Sequence, residues 1–172
     1  MRIPIILGTA REGRQSEKVA IYVFGVAKAK GIETEIIDVR DYRVLETDNT
    51  GTSATAKALA EKIVPADGLI IIMPEYNHGY PGELKMTLDL LFKEYTGKPV
   101  GVCGVSNGPV GGARGVQALR LALIGMMMHP VREAVYFANV NDLFDAHDDV
   151  KNKSYDKLVI GLIDAVVKAA RK

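Results

Sequence analysis

The sequence contains few of the residues that mark specialised classes of protein. Its 172 residues include one cysteine and no tryptophan, and aromatic residues make up 6%. One cysteine excludes an internal disulfide framework, and Cys103 lies in an apolar stretch typical of a small buried side chain. The sequence also lacks an amino-terminal basic-then-apolar signal and an apolar run of spanning length. We therefore expect a reduced, cytoplasmic protein with no membrane partner.

A surplus of charge of one sign is also missing. The chain carries 22 Lys and Arg against 21 Asp and Glu, for a net charge of +1. No cluster of basic residues stands out, which argues against nucleic acid as a partner. Hydrophobic residues make up 48% and charged residues 25%, as in soluble globular proteins. Length and composition together predict a single domain over residues 1–172 with a substantial core.

Two common fingerprints of nucleotide binding are absent. The pattern Gly-x-x-x-x-Gly-Lys-Ser/Thr does not occur, which argues against a Walker-type site. The pattern Gly-x-Gly-x-x-Gly is also missing, so a dinucleotide site of the Rossmann type has no support. Asp38 could suggest a ribose contact, but without that glycine pattern it is expected in a turn.

The stretch from residue 69 to 85 organises the rest of the chain. Residues 69–73 are apolar and mostly β-branched, which predicts a strand buried on both faces. Pro74 ends this strand, and a helix begins at Pro81 or Gly82. The polar residues 75–78 therefore lie at the carboxyl end of a central strand, where open α/β sheets bind ligands. The alternative is a plain polar connection between strand and helix.

Strands and helices alternate along the whole chain. Apolar runs and their breakers predict strands at 3–8, 33–39, 69–73, 98–105 and 130–137. Helices are predicted at 16–30, from Thr52 or Ser53 to 64, at 81–93, 112–128 and 155–170. This alternation indicates a flavodoxin-like α/β fold, a five-stranded parallel sheet of order 2-1-3-4-5 with helices on both faces.

The first loop, residues 8–16, combines hydroxyl groups with Arg11 and Arg14. It precedes a helix for which Ser16 is a suitable N-cap. Free N–H groups and the helix dipole favour an anion there, especially a phosphate, and Arg11 can add a charge-assisted contact. A polar loop with an N-capped helix is the alternative.

Two further loops are suited to a flat, polar ring. The second loop, residues 74–78, offers the aromatic Tyr76 and backbone amides. The third loop, residues 106–114, contains Gly108, Gly111 and Gly112, which would let the backbone approach a flat ligand. A phosphate cradle beside two such loops describes a mononucleotide site, and flavin mononucleotide (FMN) fits it.

The motifs of these loops resemble those of the NADPH-dependent FMN reductase family, which includes quinone, chromate and azo reductases. The matching motifs are Gly8-Thr9-x-Arg11 with Ser16, Pro74-Glu75-Tyr76-Asn77, Pro81-Gly82-x-Leu84-Lys85 with Asp89, and Ser106-x-Gly108-x-x-Gly111-Gly112. They occur in the family's order and cover most of the chain. Thr9 stands where the family more often has Ser, and Met86 where Asn is usual.

The resemblance implies roles for individual residues. Three residues of the first loop would hold the FMN phosphate: Thr9, Arg11 and Ser16. Gln15 of the same loop would also bind the cofactor. Four of the second loop would contact the flavin ring, largely through backbone groups: Pro74, Glu75, Tyr76 and Asn77. Ser106 and Gly108 would complete the ring site. His78 could contact substrate or cap a neighbouring helix, and both readings stay open.

The resemblance also implies an activity. The chain would be an FMN-dependent NAD(P)H oxidoreductase that reduces quinone, azo, metal-oxyanion or flavin acceptors by two-electron ping-pong hydride transfer. Such chemistry requires no side-chain acid or base, so no catalytic residue is assigned. These enzymes are usually homodimers or homotetramers. A flavodoxin-type one-electron carrier and a non-flavin nucleotide-binding domain are the alternatives.

A segment near the carboxyl end is rich in acidic residues. Asp142, Asp145, His147, Asp148 and Asp149 follow the fifth predicted strand. Their spacing matches no defined metal site, so we expect a solvated acidic loop and no metal ligand.

Overall fold

The chain folds around one parallel sheet. A computed structural model describes residues 1–47 and 50–171. Its five strands have the order β2-β1-β3-β4-β5, which confirms the predicted flavodoxin-like topology. The strands are β1 (Ile5–Leu7), β2 (Ile36–Asp38), β3 (Leu69–Pro74), β4 (Pro99–Val105) and β5 (His129–Phe137). The helices are α1 (Ser16–Ala29), α2 (Ala54–Ile63), α3 (Gly82–Leu88), α4 (Ala113–Gly125), α5 (Val140–Leu143) and α6 (Ser154–Ala170).

Burial on both faces of the sheet explains the unbroken run of apolar residues in the central strand β3. Successive side chains of a strand point to opposite faces of the sheet. Ile70 and Ile72 pack in the core on the side of α1 and α6. Leu69, Ile71 and Met73 pack in the core on the side of α2, α3 and α4. Since both faces are covered by helices, every position of this strand must be apolar.

Several elements differ from their predicted bounds. Helix α3 ends at Leu88 and not at residue 93 as predicted, and a short 3₁₀ turn follows at Lys93–Tyr95. Phe92, with φ −142°, cannot continue the helix. The segment after β5, predicted to be irregular, begins with the short helix α5. Ser53 caps α2 as expected, since its Oγ accepts the Ala56 N–H at 3.1 Å.

The strand register brings four loops to one edge of the sheet. Leu7 lies beside Ile72, Pro74 beside Val105, and Val105 beside Phe137. The carboxyl ends of β1, β3, β4 and β5 are therefore adjacent, and the chain leaves each of them into a loop on the same side. Within the described ranges, the helices lack the length and hydropathy needed to cross a bilayer.

Candidate functional site

An open cavity lies where these loops meet. Its volume is about 390 Å³, within the range of small-molecule sites. The first loop lines it with Arg11, Gly13, Arg14, Gln15 and Ser16, and the second loop with Pro74, Glu75 and Tyr76. The remaining lining residues are Val105, Ser106, Asn107, Val140 and Asn141. The structure thus brings together the three loops that the sequence singled out.

Arg14 anchors the first loop from below the surface. Its buried guanidinium forms a two-pronged ion pair with Asp38, in which Nη1 lies 2.8 Å from Oδ1. The same Nη1 donates to the Thr9 carbonyl at 2.5 Å. Burial opposes ionisation of Asp38, but hydrogen bonds from Arg14 and the Arg40 N–H outweigh it and lower the pKa of the carboxyl. Asp38 does begin a turn, as expected, but its partner Arg14 was not foreseen.

Two more arginines hold the backbone of the first loop. Arg40 donates from Nε to the Ala10 carbonyl at 3.1 Å and from Nη2 to the Arg11 carbonyl at 2.6 Å. Arg43 adds a contact of 3.3 Å to the Ala10 carbonyl. Together with Arg14, these side chains donate hydrogen bonds to the carbonyls of three successive residues, Thr9, Ala10 and Arg11. Sequence reasoning missed this clamp, although two arginines directly after the second strand were an available signal.

The donors that remain open in the first loop are Arg11, Gln15 and Ser16. The sequence predicted Ser16 as the N-cap of α1, and this was wrong. Gln15 is the N-cap, and Ser16 is the first helical residue. The Ser16 Oγ is buried and has no hydrogen-bond partner in the described part of the chain. Arg11 is exposed, and no described carboxylate pairs with its side chain. Both residues line the cavity.

Thr9 occupies a different place from the one that its motif suggested. Its side chain is fully buried. Its Oγ1 lies 3.0 Å from the Tyr76 hydroxyl and donates to Glu83 Oε1 at 3.2 Å. Glu83 also accepts the Ala10 N–H at 3.0 Å. The Thr9 hydroxyl is therefore hydrogen-bonded within the protein, and Thr9 lies outside the set of residues that line the cavity.

The Glu75 carboxylate is likewise used within the protein. It accepts the N–H groups of Arg114 at 2.9 Å and Gly115 at 3.0 Å, at the start of α4. Burial opposes ionisation, but these two backbone hydrogen bonds and the Arg114 side chain lower the pKa of Glu75. A carboxylate on free N–H groups at a helix start is favourable. Its side chain therefore ties the second loop to α4, and only its backbone is left to face a ligand.

Asn77 and His78 form a tight turn at the rim. Tyr76 and Gly79 exchange both backbone hydrogen bonds, each at 2.9 Å. Asn77 has φ 49° and His78 φ 66°, as at the two central positions of a type I′ turn. Both side chains are exposed, and both residues lie outside the set that lines the cavity.

The glycines of the third loop have a reason other than ligand approach. A Cβ on Gly111 would lie 2.7 Å from the Tyr136 backbone carbon, and one on Gly112 3.0 Å from the Val105 nitrogen. Both have positive φ, at 59° and 83°. Close packing against β4 and β5 therefore requires glycine at both positions, whether or not a ligand approaches them.

Ser106 lines the cavity, and Gly108 lies outside the set of lining residues. The Ser106 Oγ accepts the Gly108 N–H at 3.0 Å, which leaves its own hydroxyl proton available to a ligand. The short helix α5, after β5, supplies two lining residues that the sequence did not reveal, Val140 and Asn141. The Val140 N–H donates to the Ser106 carbonyl at 3.2 Å, which joins α5 to the third loop. Their position after a parallel strand was the only signal.

Comparison with known proteins shows which family the chain belongs to. The sequence model of the NADPH-dependent FMN reductase family matches residues 1–142. A quinone reductase of Escherichia coli (strain K12) is 34% identical over 131 residues, which cover 72% of this chain and 70% of the relative. An FMN-dependent NADPH-azoreductase of Staphylococcus aureus is 36% identical over 114 residues, or 62% of this chain and 61% of that protein.

A solved structure shares the fold. FerB, a flavoenzyme NAD(P)H:(acceptor) oxidoreductase from Paracoccus denitrificans, superposes with a TM-score of 0.80 at 23% identity, and the match covers 99% of this chain and 97% of that one. The family match over residues 1–142 and the 34% identity to the bacterial quinone reductase show membership of a family and not only a shared fold. This chain is an oxidoreductase that belongs to the NADPH-dependent FMN reductase family.

Proposed function

We propose that the cavity binds FMN with its phosphate against the first turn of α1. The buried Ser16 Oγ, which lacks a partner among the described residues, carries this proposal. Buried polar atoms in folded proteins are almost always hydrogen-bonded. A phosphate oxygen would satisfy this atom, and Arg11 and Gln15 lie at the same wall of the cavity. The helix dipole adds attraction for the same anion.

The opposite walls of the cavity suit the flavin ring. Pro74 and Tyr76 line it from the second loop and Ser106 from the third. Backbone groups of Pro74 and Glu75, which line the cavity, would face the ring edge, and the Ser106 hydroxyl would donate to it. Asn77, outside the lining, would support this loop through its turn. Gly108 would support the ring through the turn it forms with Ser106. In this proposal residues 1–172 act as one flavin-binding domain.

The side chains of the site bind and orient, and the cofactor performs the redox chemistry. Bound FMN would accept two electrons as a hydride from NAD(P)H and deliver them to the acceptor in a ping-pong cycle. Glu75 is hydrogen-bonded to the start of α4, Thr9 to Glu83, and Arg14 to Asp38. In this proposal these three side chains maintain the structure of the site and do not bind the ligand directly. His78, which is exposed, would contact an incoming substrate.

The acceptor is proposed to be a small oxidised molecule such as a quinone. The named activities of the relatives support this class, since they include quinone reduction and azo reduction. The near-balance of 22 basic and 21 acidic residues argues against the alternative of a one-electron carrier, which docks on partners through a field of one sign. A cytoplasmic location remains our prediction.

An anaerobic titration tests the proposal. The purified full-length chain is reconstituted with FMN and titrated with NADPH and, separately, with NADH, while flavin absorbance is recorded. We expect complete two-electron bleaching by a nicotinamide nucleotide and recovery of the oxidised spectrum when a quinone is added. If both nucleotides leave the bound flavin oxidised while a one-electron donor reduces it, the carrier reading replaces this one. Failure to retain FMN would favour the non-flavin reading.

A further inference from the structure

A hydrogen-bond cluster next to the cavity is not used by the proposed function. Its centre is the buried Thr9 Oγ1, which contacts the Tyr76 hydroxyl, the Arg11 N–H at 3.3 Å and Glu83 Oε1. The same Oε1 accepts the Ala10 N–H. The cluster thus connects the first loop, the second loop and α3 through one carboxylate.

The ionisation state of Glu83 determines which group donates in each hydrogen bond of the cluster. Burial opposes ionisation, but hydrogen bonds from its own N–H, the Ala10 N–H and the Thr9 hydroxyl outweigh it and lower the pKa of Glu83. An ionised carboxylate only accepts hydrogen bonds. Thr9 must therefore give its single proton to Glu83, and its Oγ1 accepts from Tyr76. The Tyr76 hydroxyl proton then points at Thr9, away from a ligand in the cavity.

The location of this carboxylate calls for an explanation. A negative charge close to a phosphate site repels the ligand, and Glu83 lies outside the set of cavity-lining residues. Its contacts with Ala10 and Thr9 fix the start of the first loop, whose later residues Arg11 and Ser16 face the cavity. Ordering a loop in advance removes an entropic cost from binding, which can outweigh the repulsion.

We propose that Glu83 is a positioning residue of the flavin site, which orders the first loop and orients the Tyr76 hydroxyl through Thr9. This inference rests on the proposed function, since it takes the cavity as the flavin site. Glu83 contacts neither phosphate nor ring in this arrangement. Its effect on flavin binding passes through Thr9 and Ala10.

The test measures the binding of FMN and riboflavin to the full-length chain after its flavin is removed. The variants are Glu83→Ala, which deletes the acceptor, and Glu83→Gln, which keeps an acceptor oxygen without the charge. Glu61→Ala is the matched control, because Glu61 is an exposed carboxylate on α2. Thermal unfolding of each variant establishes that it is folded.

We expect Glu83→Ala to weaken FMN about tenfold, the equivalent of losing one hydrogen bond to a charged group, and riboflavin much less. Glu83→Gln should restore most of the affinity, and Glu61→Ala should match the wild type. Because Thr9 and Glu83 form one cluster, Thr9→Val should add little in the Glu83→Ala background. Unchanged or tighter FMN binding in Glu83→Ala, or equal loss of both flavins, overturns the inference.

Hydrogen exchange gives a readout that needs no flavin. In the wild type the Ala10 amide should be protected by Glu83, and Glu83→Ala should speed its exchange while α6 stays unchanged. Equal exchange in both proteins would contradict the ordering role. If wild-type protein binds no FMN, the proposed function fails, whereas wild-type binding with an indifferent Glu83→Ala variant rejects only this inference.

Discussion

Four arginines in and around the first loop have different roles: Arg11, Arg14, Arg40 and Arg43. Arg14 is buried and paired with Asp38, while Arg40 and Arg43 hold carbonyl groups of the first loop. Arg11 is exposed, and its backbone carbonyl is held by Arg40. The loop is therefore fixed by three guanidinium groups, and the fourth, that of Arg11, is available for an anion. A single substitution can separate these roles.

Replacing Arg11 with Ala should weaken FMN far more than riboflavin, because only FMN carries a phosphate. Loss of a charge-assisted contact should cost about 1.5–3 kcal/mol of binding free energy. Fluorescence titration of both flavins measures the difference, with Arg132→Ala as a control at an exposed arginine of β5. Equal weakening of the two ligands would reject the phosphate assignment.

Replacing Asp38 with Asn should destabilise the fold, because the buried Arg14 loses its ionised partner. Breaking such a pair should cost about 3 kcal/mol of unfolding free energy near neutral pH. The pKa of Asp38 is lowered in the fold. Its stabilisation is therefore complete above the unfolded value, about 3.9, and is lost as pH falls through the folded value.

Urea unfolding at a series of pH values checks this prediction. The wild type should lose stability through the acid range more steeply than Asp38→Asn, which has no carboxyl to titrate at this position. Parallel pH profiles for the two proteins would show that the ion pair contributes nothing to acid sensitivity.

Among the elements of the fold, α4 and the third loop pack closely against the second loop and β5. Glu75 holds the first turn of α4, and a Cβ on Gly115 would lie 3.0 Å from the Gly79 carbonyl oxygen. Gly111 fits against Tyr136 of β5 with no room for a side chain. The glycines of this region thus allow a strand, a helix and two loops to meet at one point.

The substitution Gly111→Ala should be strongly destabilising, whereas Gly108→Ala should not. At Gly111 the new Cβ meets the Tyr136 backbone and φ is positive, which together should cost about 3 kcal/mol. At Gly108 the nearest atom is the Ser106 Oγ, at 3.4 Å. Melting temperatures of the two variants provide the comparison, and similar values would refute the packing explanation.

For the whole molecule, the exposed apolar side chains on and after α4 favour self-association. Leu121 is 75% exposed, Ile124 60% and Met127 52%. Apolar side chains are therefore exposed on α4 and directly after it. Such a face is typical of an interface between subunits. We keep the prediction that the protein is a homodimer or homotetramer.

A double substitution tests this prediction. Leu121→Glu with Ile124→Glu should convert the oligomer to monomers, because it would bury carboxylates in the interface. Leu158→Glu is the control, at an exposed apolar position of α6 across the sheet. Light scattering gives the mass in solution, and a wild-type monomer would disprove the prediction.

Local patterns were sufficient for much of the architecture. The five strands and the order of the sheet follow from apolar runs separated by helices, because a parallel sheet covered on both faces needs such runs. The Ser53 cap and the end of β3 at Pro74 follow from single residues with strong local preferences. Ser16 was assigned to the wrong cap position, since neighbouring residues compete for that place.

The fold, the family and the three loops that line the cavity could be predicted from the sequence alone, because strand periodicity, turn residues and short motifs are local properties. Which polar groups of those loops remain open to a ligand could be seen only after the chain had folded. Thr9 is occupied by Glu83, Glu75 by the start of α4, and Arg14 by Asp38. Each pair joins residues far apart along the chain, and their distances depend on the register of the sheet and the packing of its helices.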